Sequence, residues 1–394
     1  MTSWVPGDES ELAAMIAEAA DRRTPLAVEG GGTRSGLGRP MQTAATLSTA
    51  KLAGVTLYEP SEMVLSARAG TPLAEIDALL AGNRQRLAFE PMDHRGLYGG
   101  SGEPTAGGVA AANISGPRRI MAGAARDSLI GIRAVTGGGD IVKSGGRVMK
   151  NVVGLDLVKF LAGSFGTLAV LSEVTFKVLP VPESEATLVL SGLDDVRAVA
   201  ALSAALGSPF SVTGAAHFPG QAGEVARTLI RLDGFTESVA YRLDRLAAEL
   251  SAFGKTERLE GAASQTLCRD VRDLAVLGPP SGAPVWRVSV RPGAGPGIAE
   301  AARRGFPCRV LYDWGGGLVW IAGGEGADAG AGVIRAAVSA SGGPATLVRA
   351  TDAVRLAVDV FEPPSGAIMA LTRKLKQTFD PSGILNPGRM YVGV

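Results

Sequence analysis

Two glycine-rich runs early in the chain are the residues best suited to bind a ligand. The first, GGGTRSGLG at Gly30–Gly38, follows the apolar run PLAVE at Pro25–Glu29, which predicts a buried strand. Consecutive glycines after a strand can point several backbone N–H groups into one tight turn, and such a turn binds phosphate. The second, GGSGEPTAGGVAAANISG at Gly99–Gly116, has too few large side chains to fill a core. It is either an ordinary loop or a backbone that lies close to something bulky, and its composition alone leaves both open.

The first run lacks the two most common nucleotide-binding motifs. Counted from Gly30, the dinucleotide fingerprint G-x-G-x-x-G needs glycine or alanine where Ser35 stands, and no clear helix follows. A P-loop would end in Gly-Lys-Ser or Gly-Lys-Thr, which this run does not contain. A phosphate site here therefore belongs to neither class.

Composition excludes several classes of protein. The 394 residues exceed one ordinary core, so we expect two or three domains. The 39 basic and 38 acidic residues give a formal charge of +1, which provides no electrostatic footprint for a nucleic acid. Cys268 and Cys308 are too few for a disulfide framework or an iron–sulfur cluster. With no signal-peptide pattern and no run of about 18 apolar residues, we expect a cytoplasmic protein that reaches a membrane only through partners.

The elements that must hold the two runs alternate between helices and short strands. Asp8 and Glu11 have the spacing of a capping box, and an apolar stripe predicts a helix from Glu9 to Arg22. One or two helical turns are expected at Gly107–Asn113, with a start suited to accept an anion or a flat ring. Further strands are predicted at 55–58, 63–69, 87–89, 127–137, 140–143 and 167–178, and further helices at 73–80, capped by Thr71, and at 155–161.

From Glu183 onward the pattern favours a separate α+β domain. Its first part has predicted strands at 187–190, 212–217 and 228–232 and helices at 194–206 and 238–253. Its second part could repeat that unit, with helices at 263–277 and 332–341 and strands at 285–290, 310–312, 318–322 and 347–348. A last helix is predicted at 364–379, where Lys376 and two neighbouring basic residues favour the helix dipole.

Four segments in this order resemble one flavoprotein family. They are the EGGGT loop, PTAGGVAAANISG, a strand hairpin ending in GGD, and KNVVGLDLVKFLAGSFGTLAVLSEVTFKV. Together they resemble the FAD-binding domain of the vanillyl-alcohol oxidase family over roughly residues 1–180. With FDPSGILNPGR at Phe379–Arg389, the chain is similar in particular to the FAD-binding subunits of glycolate oxidases.

The resemblance implies an α+β fold. Residues 1–180 would form a PCMH-type FAD-binding domain of two subdomains, and residues 181–350 an α+β, ferredoxin-like cap for substrate or partner docking. Residues 351–394 would form a C-terminal segment that returns to the FAD domain and closes on the flavin.

The resemblance also implies which residues bind the cofactor. By position in the family, the first loop holds the pyrophosphate, the second segment packs against flavin and pyrophosphate, the third lies near the adenine end, and the NPG element lies near the isoalloxazine. The matching residues are Gly30, Gly31, Gly32, Thr33, Arg34, Ser35 and Gly36; Pro104, Thr105, Gly107, Gly108 and Gly116; Gly166, Thr167 and Val170; and Asn386, Pro387 and Gly388.

This sequence lacks two features that many relatives have, and each absence bears on the expected chemistry. Many relatives attach FAD through a histidine in or near the first loop, which here has none, so we expect noncovalent FAD; His94 is the one candidate for a link. Relatives that oxidise 2-hydroxy acids as single chains carry an HxGDGNxH element that this chain lacks, and His217 is the only histidine after His94. We therefore expect no metal site and identify no catalytic base.

Three functional hypotheses follow. The first is the FAD-binding subunit of a glycolate-type dehydrogenase complex, which accepts electrons from a 2-hydroxy acid and passes them to an iron–sulfur subunit, beside a homologous catalytic flavoprotein subunit. The second is a self-sufficient FAD oxidase or dehydrogenase. The third is a structural subunit without flavin.

Several other residues have both a functional and a structural interpretation. Arg118 and Arg119 could contact phosphate, although a loop pair of arginines is more often solvated, and Arg126–Asp127 is as readily an ion pair as a flavin contact. Strand aromatics are more often core than pocket wall, and we interpret free cysteines as buried hydrophobes and His217 as structural. The aromatics are Trp286, Tyr312, Trp314 and Trp320.

Overall fold

The computed structural model of the chain describes residues 2–146, 156–220, 223–278 and 282–394. Part of the third motif, at 150–155, lies outside these residues. The strands are β1 (Thr2–Trp4), β2 (Leu26–Glu29), β3 (Ala45–Ser48), β4 (Val55–Glu59), β5 (Val64–Arg68), β6 (Gln85–Arg86), β7 (Leu129–Thr136), β8 (Ile141–Gly145), β9 (Ala169–Lys177), β10 (Leu179–Pro180), β11 (Ser184–Ser191), β12 (Gly214–Phe218), β13 (Arg227–Gly234), β14 (Thr256–Glu260), β15 (Val285–Ser289), β16 (Cys308–Asp313), β17 (Leu318–Gly323) and β18 (Ala345–Arg349). The helices are α1 (Glu9–Asp21), α2 (Leu73–Ala81), α3 (Arg95–Tyr98), α4 (Ala106–Ala112), α5 (Arg119–Ala122), α6 (Ala125–Ser128), α7 (Leu157–Leu161), α8 (Asp195–Gly207), α9 (Thr236–Glu249), α10 (Gly261–Arg272), α11 (Gly295–Gly305), α12 (Ala331–Ser341), α13 (Asp352–Ala357) and α14 (Gly366–Phe379).

The chain divides into two compact units. Unit 1 contains Met1–Ser115, Gly123–Val181 and Pro363–Val394, and unit 2 contains Gly116–Ala122 and Pro182–Glu362. The last residues of the chain thus fold with the first 115.

Unit 1 is built on two main sheets. The small sheet has the order β1-β3-β2 and is parallel, and Leu385 adds a further parallel bridge to Leu26 at its β2 edge. The larger sheet has the order β4-β5-β9-β7-β8 and is antiparallel. Two buried apolar clusters pack against these sheets: Leu12, Leu47 and Leu385 belong to one, and Phe89 and Phe176 to the other. The first cluster also includes Val135 and Val170 of the larger sheet, so the two sheets share part of their core.

Unit 2 repeats one motif twice. The strands β11 to β14 and the helices α8 and α9 follow the order strand–helix–strand–strand–helix–strand, and so do β15 to β18 with α11 and α12. Within the described residues they join in one eight-stranded sheet of order β14-β11-β13-β12-β16-β17-β15-β18, in which His217 of β12 pairs with Tyr312 of β16. Each half places its first strand between its third and fourth, which is the ferredoxin-like arrangement. The expected α+β fold with a ferredoxin-like repeat is therefore confirmed.

Local capping explains several of the confirmed elements. Asp8 caps α1 by accepting from the Glu11 N–H at 2.8 Å, and the Glu11 carboxylate in turn accepts from the Gly7 N–H. Several details differ from prediction. Thr71 does not cap α2, because its hydroxyl bonds to Gly54 and Arg68 while Pro72 takes the cap position. The strand predicted at 87–89 lies instead at Gln85–Arg86, and the strand β14 and the helix α11 were not predicted.

Candidate functional site

A cleft in unit 1 brings the predicted segments together. Its cavity volume is about 140 Å³. Of the predicted site residues, Gly30, Gly31, Gly32, Thr33, Arg34, Ser35, Thr105, Gly107, Gly108, Gly166 and Val170 line this cleft. Residues 27–35, 105–112 and 165–171 are far apart in sequence, so the fold creates the site.

The first glycine loop presents free backbone donors. In the described part of the chain, the N–H groups of Gly31, Gly32 and Thr33 donate to no other protein group. Gly32 has a φ of +72°, which glycine adopts without strain. A Cβ at Gly31 would overlap the carbonyl oxygen of Glu103, so the loop and residues 102–103 pass closer than side chains allow. This turn therefore has the geometry of a phosphate-binding nest.

Arg34 supplies a buried positive charge beside these donors. Its side chain is 8% exposed, and its guanidinium has only distant bonds, to Thr33 Oγ1 at 3.5 Å and to the Met92 carbonyl at 3.4 Å. Its Nε has no hydrogen-bond partner among the described residues, and no carboxylate there forms an ion pair with it. Burial lowers the pKa of Arg34 to about 10 despite the opposing charges of Asp93 and Tyr98, so the group is still ionised at pH 7. A buried cation that forms no direct ion pair with a protein carboxylate fits a bound pyrophosphate.

The helix α4 lines the cleft with its small residues, and its first N–H groups are already hydrogen-bonded within the protein. Thr105 caps it by accepting from Gly108 N at 3.3 Å, Ala106 N donates to Thr71 O at 2.9 Å and Gly107 N donates to Ala69 O at 2.8 Å. Because these N–H groups are already bonded, the expectation that the start of this helix accepts an anion is wrong. A Cβ at Gly107 would lie 2.6 Å from that of Ala69, which explains the glycine by close packing.

Some predicted site residues lie outside the cleft lining. A Cβ at Gly36 would lie 2.7 Å from the Tyr98 ring, and Gly116 belongs to unit 2, where its carbonyl accepts from Trp314 Nε1 at 3.2 Å. Asn386 is fully buried behind the wall, where its Oδ1 accepts from Val28 N at 2.7 Å and its Nδ2 donates to Phe165 O at 2.8 Å. The other residues that do not line the cleft are Pro104, Thr167, Pro387 and Gly388.

Sequence reasoning missed several lining residues. Arg389, directly after the NPG element, lines the cleft and donates to the carbonyls of Leu37 and Arg34 at 3.2 and 3.1 Å. Glu29 is the last residue before the loop; burial raises its pKa, opposed by the charge of Arg389. Arg389 and Glu29 each lie next to a recognised motif in the sequence, and that position could have identified them as lining residues. Thr49 and Met41 also line the cleft, and nothing in their sequence context indicated it.

Both histidines are buried, and neither lines this cleft. His94 is 3% exposed, its Nδ1 lies 3.2 Å from Met92 O, and its ring stacks on Tyr98. His217 lies in unit 2, with its Nδ1 2.9 Å from Thr228 Oγ1 and its Nε2 3.5 Å from Asp195 Oδ1. The structural interpretation of His217 is confirmed.

Asp195 is the centre of that buried polar cluster. It also accepts hydrogen bonds from Tyr312 at 2.5 Å and Arg303 at 2.6 Å. Burial alone would raise the pKa of Asp195, but the bonds from His217, Arg303 and Tyr312 outweigh it and lower that pKa to about 2. The carboxylate links α8 of one ferredoxin-like half to α11 and β16 of the other.

The remaining candidates are structural. Arg118 is buried in an ion pair with Asp233, and Arg119 lies over the Trp314 ring at 4.7 Å, so neither is a solvated loop arginine and neither lines the cleft. Trp286, Tyr312 and Trp320 are core residues, as predicted. Cys268 and Cys308 are only partly buried, so their interpretation as buried hydrophobes is wrong in degree. Arg126 and Asp127 form an exposed pair at 3.7 Å.

Neither a candidate metal site nor a membrane-spanning helix is present among the described residues. Residues 2–146, 156–220, 223–278 and 282–394 contain no group of three or more His, Cys, Asp or Glu side chains placed to hold a metal ion. Among the same residues, no helix has both the length and the apolar character needed to cross a bilayer.

Comparison with known proteins identifies the family. Residues 4–145 match the family model described as "FAD binding domain". The chain is 33% identical over 380 residues to glycolate oxidase subunit GlcE of Escherichia coli, covering 96% of each protein. It is 31% identical over 176 residues to D-lactate dehydrogenase of Archaeoglobus fulgidus, covering 44% of this chain and 38% of that protein. Among solved structures, 4-ethylphenol oxidase from Gulosibacter chungangensis shares the fold, with a TM-score of 0.74 at 13% identity over 99% of this chain and 89% of that one. The near full-length match shows that this chain belongs to the family of FAD-dependent oxidoreductases that includes GlcE, and FAD is its cofactor.

Proposed function

We propose that this chain is the FAD-binding subunit of a glycolate-type 2-hydroxy-acid dehydrogenase complex. Membership of its family makes it an FAD-dependent oxidoreductase that acts on CH–OH groups, and its relatives GlcE and D-lactate dehydrogenase carry the names of 2-hydroxy-acid enzymes. The observation that carries the proposal is the match to GlcE, which spans nearly the whole of both proteins and whose name describes a subunit. The partners we propose are a homologous catalytic flavoprotein and an iron–sulfur protein.

The residues of the cleft support binding of the cofactor. We propose that the N–H groups of Gly31, Gly32 and Thr33, with the Arg34 guanidinium, hold the pyrophosphate. The glycines of α4 leave room for a flat or bulky group to approach the backbone. Bound FAD supplies a two-electron acceptor for oxidation of a CH–OH carbon.

The same cleft has no histidine among its lining residues. Its titratable lining residues are Glu29, Arg34 and Arg389, and both histidines of the chain are buried elsewhere. A hydroxyl proton therefore has no histidine acceptor in this chain. This supports a division of labour in which the partner flavoprotein carries out substrate chemistry and this subunit contributes to electron transfer.

The decisive experiment compares the chain alone with the complex. The chain is purified alone and after co-expression with the flavoprotein and cysteine-rich proteins encoded beside it, and both preparations are assayed with glycolate and an artificial electron acceptor. We expect flavin in both preparations and turnover only in the complex. Steady turnover of glycolate by the isolated chain would instead support the self-sufficient enzyme.

A variant separates an electron-carrying subunit from a purely structural one. Arg34→Met is expected to assemble with the same partners but to carry less FAD. If the complex then loses activity in proportion to the missing flavin, this subunit lies on the electron path. Full activity of a flavin-depleted complex would support the structural role.

A further inference from the structure

The C-terminal segment is anchored to unit 1 by a buried ion pair. Lys376, in α14, is 7% exposed and Asp380 is 1% exposed, and Lys376 Nζ lies 2.8 Å from Asp380 Oδ2. The ammonium also donates to Thr167 O and Leu385 O, each at 2.7 Å. Each of the three ammonium protons has an acceptor. The position of the Lys376 side chain in unit 1 is therefore fixed by the geometry of three hydrogen bonds as well as by charge.

Asp380 shapes the turn that leads to the NPG element. Its Oδ1 accepts from Ile384 N at 3.1 Å and its Oδ2 from Leu385 N at 2.8 Å. Leu385 then bridges to Leu26 beside β2, where Leu26 N donates to Ile384 O at 2.8 Å and Asn386 N to Leu26 O at 3.0 Å. The ion pair and the turn that Asp380 holds therefore fix the position of Asn386.

The C-terminal segment holds both carbonyls that flank Gly166. Asn386 Nδ2 donates a hydrogen bond to Phe165 O at 2.8 Å, and Lys376 Nζ donates one to Thr167 O. Phe165 and Gly166 have φ values of +55° and +69°. Phenylalanine at positive φ is strained and persists only where its surroundings hold it. Phe165 and Gly166 both line the cleft, and so does Val28, whose N–H donates to Asn386 Oδ1.

We propose that Lys376, Asp380 and Asn386 are positioning residues for the cofactor. None of them lines the cleft; together they set the separation between β2 and the Phe165–Thr167 turn. Cofactor binding and docking of the C-terminal segment then stabilise each other, as linkage requires of two events that share one conformation. The inference rests on the proposed assignment of this cleft as the FAD site.

The first test measures FAD affinity separately from stability. The variants are Lys376→Met, Asp380→Asn and Asn386→Asp, and the control is Lys374→Met, an exposed lysine of the same helix. FAD is titrated into each apoprotein by flavin fluorescence, and each apoprotein is unfolded in urea. If the three residues position the cofactor, the folded variants should bind FAD at least about tenfold more weakly than the wild type. The FAD affinity of the control should stay within about twofold of the wild-type value. A lower apoprotein stability at unchanged FAD affinity would reduce the three residues to a structural role and overturn the proposal.

A second test needs no mutation and decides the matter if the variants do not fold. Hydrogen exchange of the wild-type chain is compared with and without FAD at the amides of Ile384, Leu385 and Asn386, none of which lines the cleft. Coupling predicts slower exchange there when FAD is added, and unchanged exchange would refute it.

Arg34→Met distinguishes the two possible failures. If this variant binds FAD normally, the assignment of the cleft is wrong. If it binds FAD weakly while the variants of Lys376, Asp380 and Asn386 bind normally, only the positioning role is wrong.

Discussion

Replacing Arg34 by methionine should make the protein more stable without FAD and a poorer binder of FAD. The guanidinium is buried without a carboxylate partner in the described chain, and its pKa falls from 12.5 to about 10. One pKa unit corresponds to about 1.4 kcal/mol, so the folded apoprotein carries a penalty on the order of 3 kcal/mol for the charged form. Methionine has similar length, no charge and no hydrogen-bond requirement.

The two effects have opposite signs and comparable sizes. Removing a buried, poorly compensated charge is expected to stabilise the apoprotein by about 1–3 kcal/mol. Removing a charged donor from the pyrophosphate should lose about 1.5–3 kcal/mol of binding, which is about 10- to 100-fold in affinity. Such a trade between stability and binding is usual for a residue kept for its function.

The assay is urea unfolding of the apoprotein together with FAD titration. Arg22→Met is the matched control, because Arg22 is 70% exposed and forms only a surface pair with Glu18. The control should change neither quantity by more than about 0.5 kcal/mol. A destabilised Arg34→Met apoprotein with unchanged FAD affinity would refute the reasoning, since Arg34 would then be an ordinary structural arginine.

Three further predictions follow from the same structure. Gly31→Ala places a Cβ on the Glu103 carbonyl and should weaken FAD binding about tenfold or more by titration, whereas Gly96→Ala, with no atom within 4 Å of its new Cβ, should not. Asp195→Asn should destabilise the chain by about 1–2 kcal/mol at pH 7 after allowance for solvent screening. The pKa of the Asp195 carboxyl is lowered from 3.8 to about 2, so its contribution to stability is present above pH 3.8 and is lost as the pH falls toward 2. Urea unfolding at pH 7 and at pH 2.5 should therefore show a smaller stability difference between the wild type and Asp195→Asn at the lower pH. The same stability difference at both pH values would contradict this account. Acid precipitation should release all flavin from the wild type and from His94→Ala alike, and flavin retained on the wild-type protein would contradict noncovalent binding.

Sequence reasoning located this cleft because its signals are local. Consecutive glycines after a strand indicate a turn whatever the rest of the chain does, and the run at Gly107 indicates close backbone approach. Strand and helix periodicity likewise predicted most of unit 2, including its internal repeat. The exceptions have local causes: β14 is largely exposed and carries charged residues on both sides of its one partly buried leucine, and α11 begins in a glycine- and proline-rich run that is typical of a loop.

The missed features all depend on distant partners. Lys376 has the sequence context of a surface lysine near a helix end, yet it is buried because Asp380 and two carbonyls surround it. Arg118 has the context of a loop arginine, and Asp233, more than a hundred residues away, makes it a core residue. Nothing within a short window distinguishes these from solvated charges.

The arrangement of charge in the cleft is suited to hold an anionic cofactor. Its cleft contains free N–H donors and a buried arginine, which stabilise an anion, but it contains no histidine to accept a substrate proton. Other charged groups form direct ion pairs within their own units, Lys376 with Asp380 in unit 1 and Asp195 with Arg303 in unit 2. Arg34 forms no direct ion pair in the described chain, and FAD would bring it an anionic partner. Binding of the cofactor therefore brings negative charge to these donors, and the proposed partner flavoprotein would supply the groups for substrate chemistry.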